Sequence, residues 1–156
     1  MKSPAERRWM AMGHLLVVGY GNPLRSDDGI AWRAAEQVRK ELPNITRVIC
    51  VHQLTPELAE DVAAADVVIF LDASDTGEPG GVRCEAVFTR LDGLRFSHHL
   101  TPSEVLTLAV RLYSVRPRAF LISIHADCFH HGQELSPAAN QAIPDVLAQV
   151  RALMRT

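Results

Sequence analysis

The apolar positions of this chain fall into short runs that alternate with segments of helical periodicity. Four runs rich in β-branched and aromatic residues predict strands: residues 14–19, 47–51, 67–72 and 118–124. Residues 82–88 instead alternate between apolar and polar side chains, which is typical of a strand at a sheet edge. Near-continuous apolar runs indicate strands buried on both faces, so the pattern favours a largely parallel sheet.

Four amphipathic segments separate these runs and predict helices. We expect Asp27 to cap the first helix, which ends before Pro43. The other three open at Thr55-Pro56, Thr101-Pro102 and Ser136-Pro137, where a hydroxyl can cap the helix and a proline can occupy its first turn, and Pro144 should kink the last one. Strands that alternate with helices predict an α/β fold, with helices on both faces of the sheet.

Length and composition fit a single ordinary domain. The chain has 156 residues, of which 47% are apolar and 22% charged. We expect residues 1–12 to form a flexible N-terminal extension and residues 13–156 to form one domain. A net charge of −2 gives no electrostatic reason to expect nucleic acid as a partner. No run reaches the roughly 20 apolar residues needed to cross a bilayer, and three scattered cysteines suggest a reducing cytoplasm.

The loop after the first predicted strand, residues 19–29, carries the strongest chemical signal. It begins with Gly19-Tyr20-Gly21, but it lacks the lysine of a P-loop and has Leu24 where a dinucleotide fingerprint needs its third glycine. Asp27 and Asp28 lie where a helix begins, and two carboxylates there would repel a phosphate. The loop therefore favours a cation over a nucleotide.

Three predicted loops bring potential metal ligands to one edge of the sheet. The carboxyl ends of parallel strands line a common crevice, so Asp28, Asp72 and the His98-His99 loop can meet there. Carboxylates with an imidazole suit a first-row transition metal. Each member also has a structural alternative, since Asp28 could serve only the helix dipole and the histidines could be solvated loop residues.

Other polar residues give weaker signals. Asp75 has the sequence context of a turn residue. His125, His130 and His131 cluster near Asp127, but their spacing matches no closed zinc site, so we expect a surface loop. Cys128 has neither a helix start nor an evident base beside it to make it a nucleophile.

The combined motifs resemble those of the hydrogenase maturation endopeptidases. These enzymes trim the C-terminal extension of the nickel-iron hydrogenase large subunit after nickel insertion. The resembling segments are Gly19-x-Gly21-Asn22-x-Leu24-x-x-Asp27-Asp28-Gly29, Phe70-Leu71-Asp72-Ala73, Ser97-His98-His99-Leu100-x-Pro102 and Leu135-Ser136-Pro137. They occur in the family's order between about residues 14 and 152.

The resemblance implies a three-layer α/β/α sandwich with a mostly parallel, twisted sheet of about five strands. It also implies that Asp28, Asp72 and His98 contact the metal. His99 is an alternative to His98, which we choose because its spacing to Leu100 and the following helix fits better. The metal would be nickel already seated in the substrate, so the enzyme would need no resident organic cofactor. The partner would be a hydrogenase large-subunit precursor, which this aspartyl-type endopeptidase would activate in the cytoplasm.

The attacking group is not evident from the motifs. No Ser-His-Asp or Cys-His pairing stands out, so we expect a water activated by the metal or by a carboxylate, with Asp28 or Asp72 assisting. One competing hypothesis is a non-catalytic metal carrier or docking factor that uses the same three ligands. Another is a nucleotide-binding α/β protein, which would rest only on Gly19-x-Gly21.

Overall fold

The computed structural model describes residues 14–44, 46–90, 99–132 and 134–155. The predicted extension, residues 1–12, lies outside this set. The strands are β1 (Leu15–Tyr20), β2 (Thr46–Val51), β3 (Val67–Ser74), β4 (Val82–Ala86) and β5 (Arg118–His125). The helices are α1 (Ile30–Glu41), α2 (Leu58–Ala63), α3 (Pro102–Tyr113) and α4 (Pro137–Met154). A single 3-10 turn, Ser26–Gly29, precedes α1.

The five strands form one mixed, mostly parallel sheet in the order β2-β1-β3-β5-β4. Strands β1, β2, β3 and β5 are parallel, whereas β4 pairs antiparallel with β5. The prediction of an α/β fold with a largely parallel sheet is confirmed. The alternating strand at residues 82–88 is indeed an edge strand, although it ends at Ala86.

Helices cover both faces of the sheet, as the near-continuous apolar strands require. Odd-numbered residues of β3, such as Ile69 and Leu71, pack with α1 and α4, while Val68 and Phe70 pack with α2 and α3. The largest fully buried side chains come mainly from β1, β3 and β5. Because both faces of the three central strands β1, β3 and β5 are buried, their polar side chains lie at or near the strand ends.

The helix starts show where local sequence signals hold. At α3, Thr101 and Glu104 form a complete capping box, with the Thr101 hydroxyl accepting from the Glu104 amide at 3.2 Å. At α4, the Ser136 hydroxyl accepts from the Ala139 amide, and the helix continues as one element through Pro144. The prediction that Thr55 caps α2 is wrong, since a turn intervenes and no side chain caps that helix.

Candidate active site

A polar cavity of about 580 Å³ opens at the carboxyl edge of the sheet. Strands β1, β3 and β5 all end there, so residues far apart in sequence meet, as expected for an open α/β sheet. The cavity is lined by Arg25, Asp28, Asp72, Ala73, Ser74, Asp75, Ser123 and Phe129. Asp28 and Asp72, predicted from separate motifs, therefore face one space.

The loop after β1 holds the Asp28 carboxylate in place. The backbone amide of Asn22 donates to Asp28 Oδ2 at 2.7 Å, and the Asn22 side chain accepts from the Leu24 amide at 2.9 Å. Gly21 has φ of +144°, and a Cβ there would lie 2.3 Å from the Asp28 carbonyl oxygen. Only glycine lets the chain pass so close to Asp28.

Asp72 projects from β3 on the face that carries Phe70 and lies beside Tyr20. The pKa of Asp72 is raised to about 6, mainly by burial and also by the neighbouring Asp28 charge, although hydrogen bonds from the Tyr20 hydroxyl and the Ala73 amide act in the opposite direction. Burial and the neighbouring Asp72 charge raise the pKa of Tyr20, so its hydroxyl remains a proton donor. Asp72 can therefore gain or release a proton near neutral pH.

Asp27 does not cap α1, and that prediction is wrong. Its side chain is fully buried and turns away from the helix, toward the segments that follow β5. It accepts from the amides of Asp127, Cys128 and Ser136 at 2.8, 3.0 and 2.7 Å, and from the Ser136 hydroxyl at 2.6 Å. Burial alone would raise the pKa of Asp27, but the Ser136 hydroxyl and these amides lower it overall. Asp27 is thus a structural anion that links two distant loops.

The third predicted ligand, His98, lies outside the described residues. Its neighbour His99 is described and is exposed at the start of the segment that leads into α3. Among the residues that the structure describes, no three His, Cys, Asp or Glu side chains form a group able to hold a metal. The structure therefore brings Asp28 and Asp72 together and leaves the histidine of the trio as a prediction.

The histidine-rich segment after β5 does not form a metal site within the described part of the chain. The His125 ring packs against Gly77 and Gly81, and its buried Nδ1 finds no hydrogen-bond partner among the described residues. His130 contributes its backbone carbonyl, which accepts from the Ser26 hydroxyl at 2.9 Å. Cys128 is a free cysteine whose amide and carbonyl bind Asp27.

Several residues of the site escaped the sequence analysis. Asp75 is an exposed loop residue, as predicted, but it also lines the cavity. Arg25 and Ser123 line it too, and neither has a sequence pattern that marks it. Ser136 was predicted only as a helix cap, and its bond to Asp27 joins segments 109 residues apart. Such long-range partners leave no periodic signal in a single sequence.

Loop geometry and carboxylate placement define the class of protein: an α/β/α sandwich with a paired-carboxylate crevice at the carboxyl ends of its strands. Solved structures support a narrower assignment. The hydrogenase maturating endopeptidase HybD from E. coli is 25% identical, with a TM-score of 0.73 over 91% of this chain and 92% of that one. No family model matches the sequence, and no curated protein matches it significantly.

Two further structures have the same fold at lower identity. The [NiFe] hydrogenase maturation protease HybD from Thermococcus kodakarensis is 22% identical, with a TM-score of 0.71 over 90% of this chain and 99% of that chain. The protease HycI from the same organism is 19% identical, with a TM-score of 0.71 over 92% and 93%. Together with the motifs, these similarities support the resemblance to the hydrogenase maturation endopeptidases. The named neighbours are endopeptidases, which supports a hydrolase of that class.

Proposed function

We propose that this protein removes the C-terminal extension of a nickel-iron hydrogenase large-subunit precursor after nickel has been inserted. The observation that carries the proposal is the convergence of Asp28 and Asp72 on one cavity at the loop that bears the glycine motif. The names of the similar structures supply the substrate class, since they describe proteases that act in hydrogenase maturation.

The two carboxylates, together with His98, would recognise the nickel that the substrate carries. Oxygen and imidazole ligands suit a first-row divalent metal, and three protein ligands leave coordination positions for groups of the substrate. The protein would bind a loaded precursor more tightly than an empty one by the free energy of these bonds. Nickel is then part of the substrate and acts as the checkpoint for cleavage.

A carboxylate of the same pair would activate the attacking water. The water oxygen adds to the scissile carbonyl carbon, its proton passes to the carboxylate, and the proton then moves to the leaving amine as the C–N bond breaks. Asp72 suits this role because its pKa lies near 6, so it is mostly ionised at pH 7 yet can hold a proton briefly. Asp28, held by the Asn22 amide, would remain the fixed member of the pair.

The test compares nickel-loaded and nickel-free precursor, incubated with the protein and weighed by mass spectrometry. We expect a C-terminal peptide to be lost from the loaded precursor only, and to be retained with Asp28→Asn or His98→Ala. His99→Ala is the matched control for the histidine, and exposed Asp145→Asn is the control for the aspartate. Binding of the loaded precursor without any loss of mass would contradict the proposal and favour a carrier.

We also propose that the protein works in the cytoplasm. The three cysteines are free thiols, which is the state expected in a reducing compartment. In the part of the chain that the structure describes, no helix has the length and apolarity to cross a membrane.

A further inference from the structure

A second, more apolar pocket lies beside the glycine-rich loop. Its volume is about 320 Å³, and Leu24, Trp32 and Leu135 supply most of its apolar lining. Arg33 and Glu36 of α1 stand at the same pocket and place one charge of each sign there. The pocket is therefore apolar inside without favouring a charged ligand of either sign.

Hydrogen bonds anchor two residues of this pocket, the Leu24 backbone and the Trp32 side chain. The Leu24 amide donates to the Asn22 side chain and the Leu24 carbonyl accepts from Gly132, yet the residue remains 53% exposed. The Trp32 indole donates to the Val51 carbonyl at 3.0 Å, and its ring meets His52 edge to face at 5.3 Å. A half-exposed leucine contributes little to folding, whereas an apolar wall with an anchored backbone favours binding because less freedom is lost.

The same short loop separates this pocket from the carboxylate cavity. Leu24 and Ser26 line the apolar pocket, while Arg25, between them, lines the cavity that contains Asp28 and Asp72. A bridge between Arg25 and Gly132 holds the loop at this point. A polypeptide whose backbone crosses the loop at Arg25 could thus place one side chain in the pocket and the next peptide groups near the carboxylates.

We propose that the pocket is a specificity subsite for one apolar side chain of the polypeptide substrate, close to the bond that is cut. That this polypeptide is the one being cleaved rests on the proposed function. The pocket is near the lower limit, about 300 Å³, of small-ligand sites, which suits one large side chain better than a cofactor. The pocket lies across one short loop from the carboxylate cavity, and its charges are balanced, so it favours an apolar group of the chain being cleaved.

The first test changes the pocket and measures cleavage of the loaded precursor. Leu24→Asp should raise KM about 10- to 200-fold, which is the usual effect of a misfit in an apolar pocket, and change kcat little. Leu112→Asp is the matched control, because Leu112 is 65% exposed on α3 and lines neither site. Equal KM values for the Leu24→Asp and wild-type proteins would overturn the subsite.

The second test needs no cleavage, so it separates the subsite from the proposed function. Capped Ala-Leu-Ala and Ala-Asp-Ala peptides are titrated into the full chain while the Trp32 indole signal is followed by NMR. The leucine peptide should shift this signal, with the shift lost in Leu24→Asp and kept in Leu112→Asp. If the leucine peptide alone shifts the signal but no precursor is cleaved, the subsite stands and the proposed function is refuted. If both peptides shift the signal equally, or neither does, the subsite is refuted.

Discussion

Replacing either of two adjacent aspartates in the glycine-rich loop by asparagine should affect a different property: fold stability at Asp27 and precursor cleavage at Asp28. Asp27→Asn should destabilise the fold, because Asp27 is fully buried and accepts four hydrogen bonds. Asp28→Asn should abolish precursor cleavage but leave the fold intact. Its amide oxygen can still accept from the Asn22 amide, as Asp28 Oδ2 does at 2.7 Å.

The magnitude for Asp27 follows from the donor that loses its acceptor. An asparagine whose oxygen takes the place of Oδ2 can keep the bonds from the Asp127 and Cys128 amides and the Ser136 hydroxyl, but its NH₂ group would then face the Ser136 amide. One buried donor left without an acceptor predicts a loss of about 1–3 kcal/mol. Total stabilities are only about 5–15 kcal/mol, so this is a measurable share of the stability.

Urea denaturation followed by circular dichroism would measure the effect. We expect Asp27→Asn to lower the denaturation midpoint with little change in the slope of free energy against urea, whereas Asp28→Asn should stay within about 1 kcal/mol of the wild type. The control Asp145→Asn, at an exposed site, should stay within about 0.5 kcal/mol. A loss below 1 kcal/mol for Asp27→Asn, or equal losses for both loop variants, would refute the reasoning.

The difference in free energy of unfolding between the wild type and Asp27→Asn should depend on pH, and its direction can be worked out. The folded pKa of Asp27 lies below its ordinary value of 3.8, so ionisation of this group stabilises the native state above about pH 4. The contribution is lost as the pH falls through the folded pKa. The gap in free energy of unfolding between wild type and Asp27→Asn should therefore be constant near neutrality and narrow in acid.

Three further outcomes are expected. Asp28→Asn should lower the pKa of Asp72 below about 6 in the metal-free protein, because it removes a neighbouring negative charge. Carbon-13 NMR of the Asp72 carboxyl would measure this pKa, and an unchanged pKa would show that the two groups are independent. Gly21→Ala should lower the thermal midpoint and cleavage together, since its Cβ would meet the Asp28 carbonyl, and an unchanged midpoint would contradict this contact. Thr101→Ala should cost about 1 kcal/mol in urea denaturation through loss of the capping box with Glu104, and a change below 0.3 kcal/mol would contradict it.

Most of the fold could be predicted from local pattern. Runs such as residues 67–72 and the edge alternation at 82–88 each became a strand, because hydrophobic periodicity reports burial directly. The helix start at Thr101-Pro102 was equally visible, and the structure adds Glu104 to it as the second member of a capping box. Thr55 carried a similar signal but does not cap α2, because a turn intervenes before that helix begins.

The site was predictable only in part. Asp28 and Asp72 could be placed together because the carboxyl ends of parallel strands share one edge, and this rule needs no detailed contacts. Asp27 was misassigned because a carboxylate at a helix start has two possible sets of donors. The set it uses lies 100–109 residues away, beyond the reach of local pattern. The positions of Arg25 and Ser123 at the cavity likewise depend on tertiary packing.

The bonds from Asp27 to the segment after β5 also determine how much of the chain must be synthesised before the glycine-rich loop can be anchored. During synthesis the glycine-rich loop leaves the ribosome early, but its buried carboxylate gains its last partners only when Ser136 has emerged. Closing a contact across about 100 residues is slow compared with local structure. A nascent or C-terminally truncated chain that lacks Ser136 would therefore have the glycine motif without the bonds that anchor its loop.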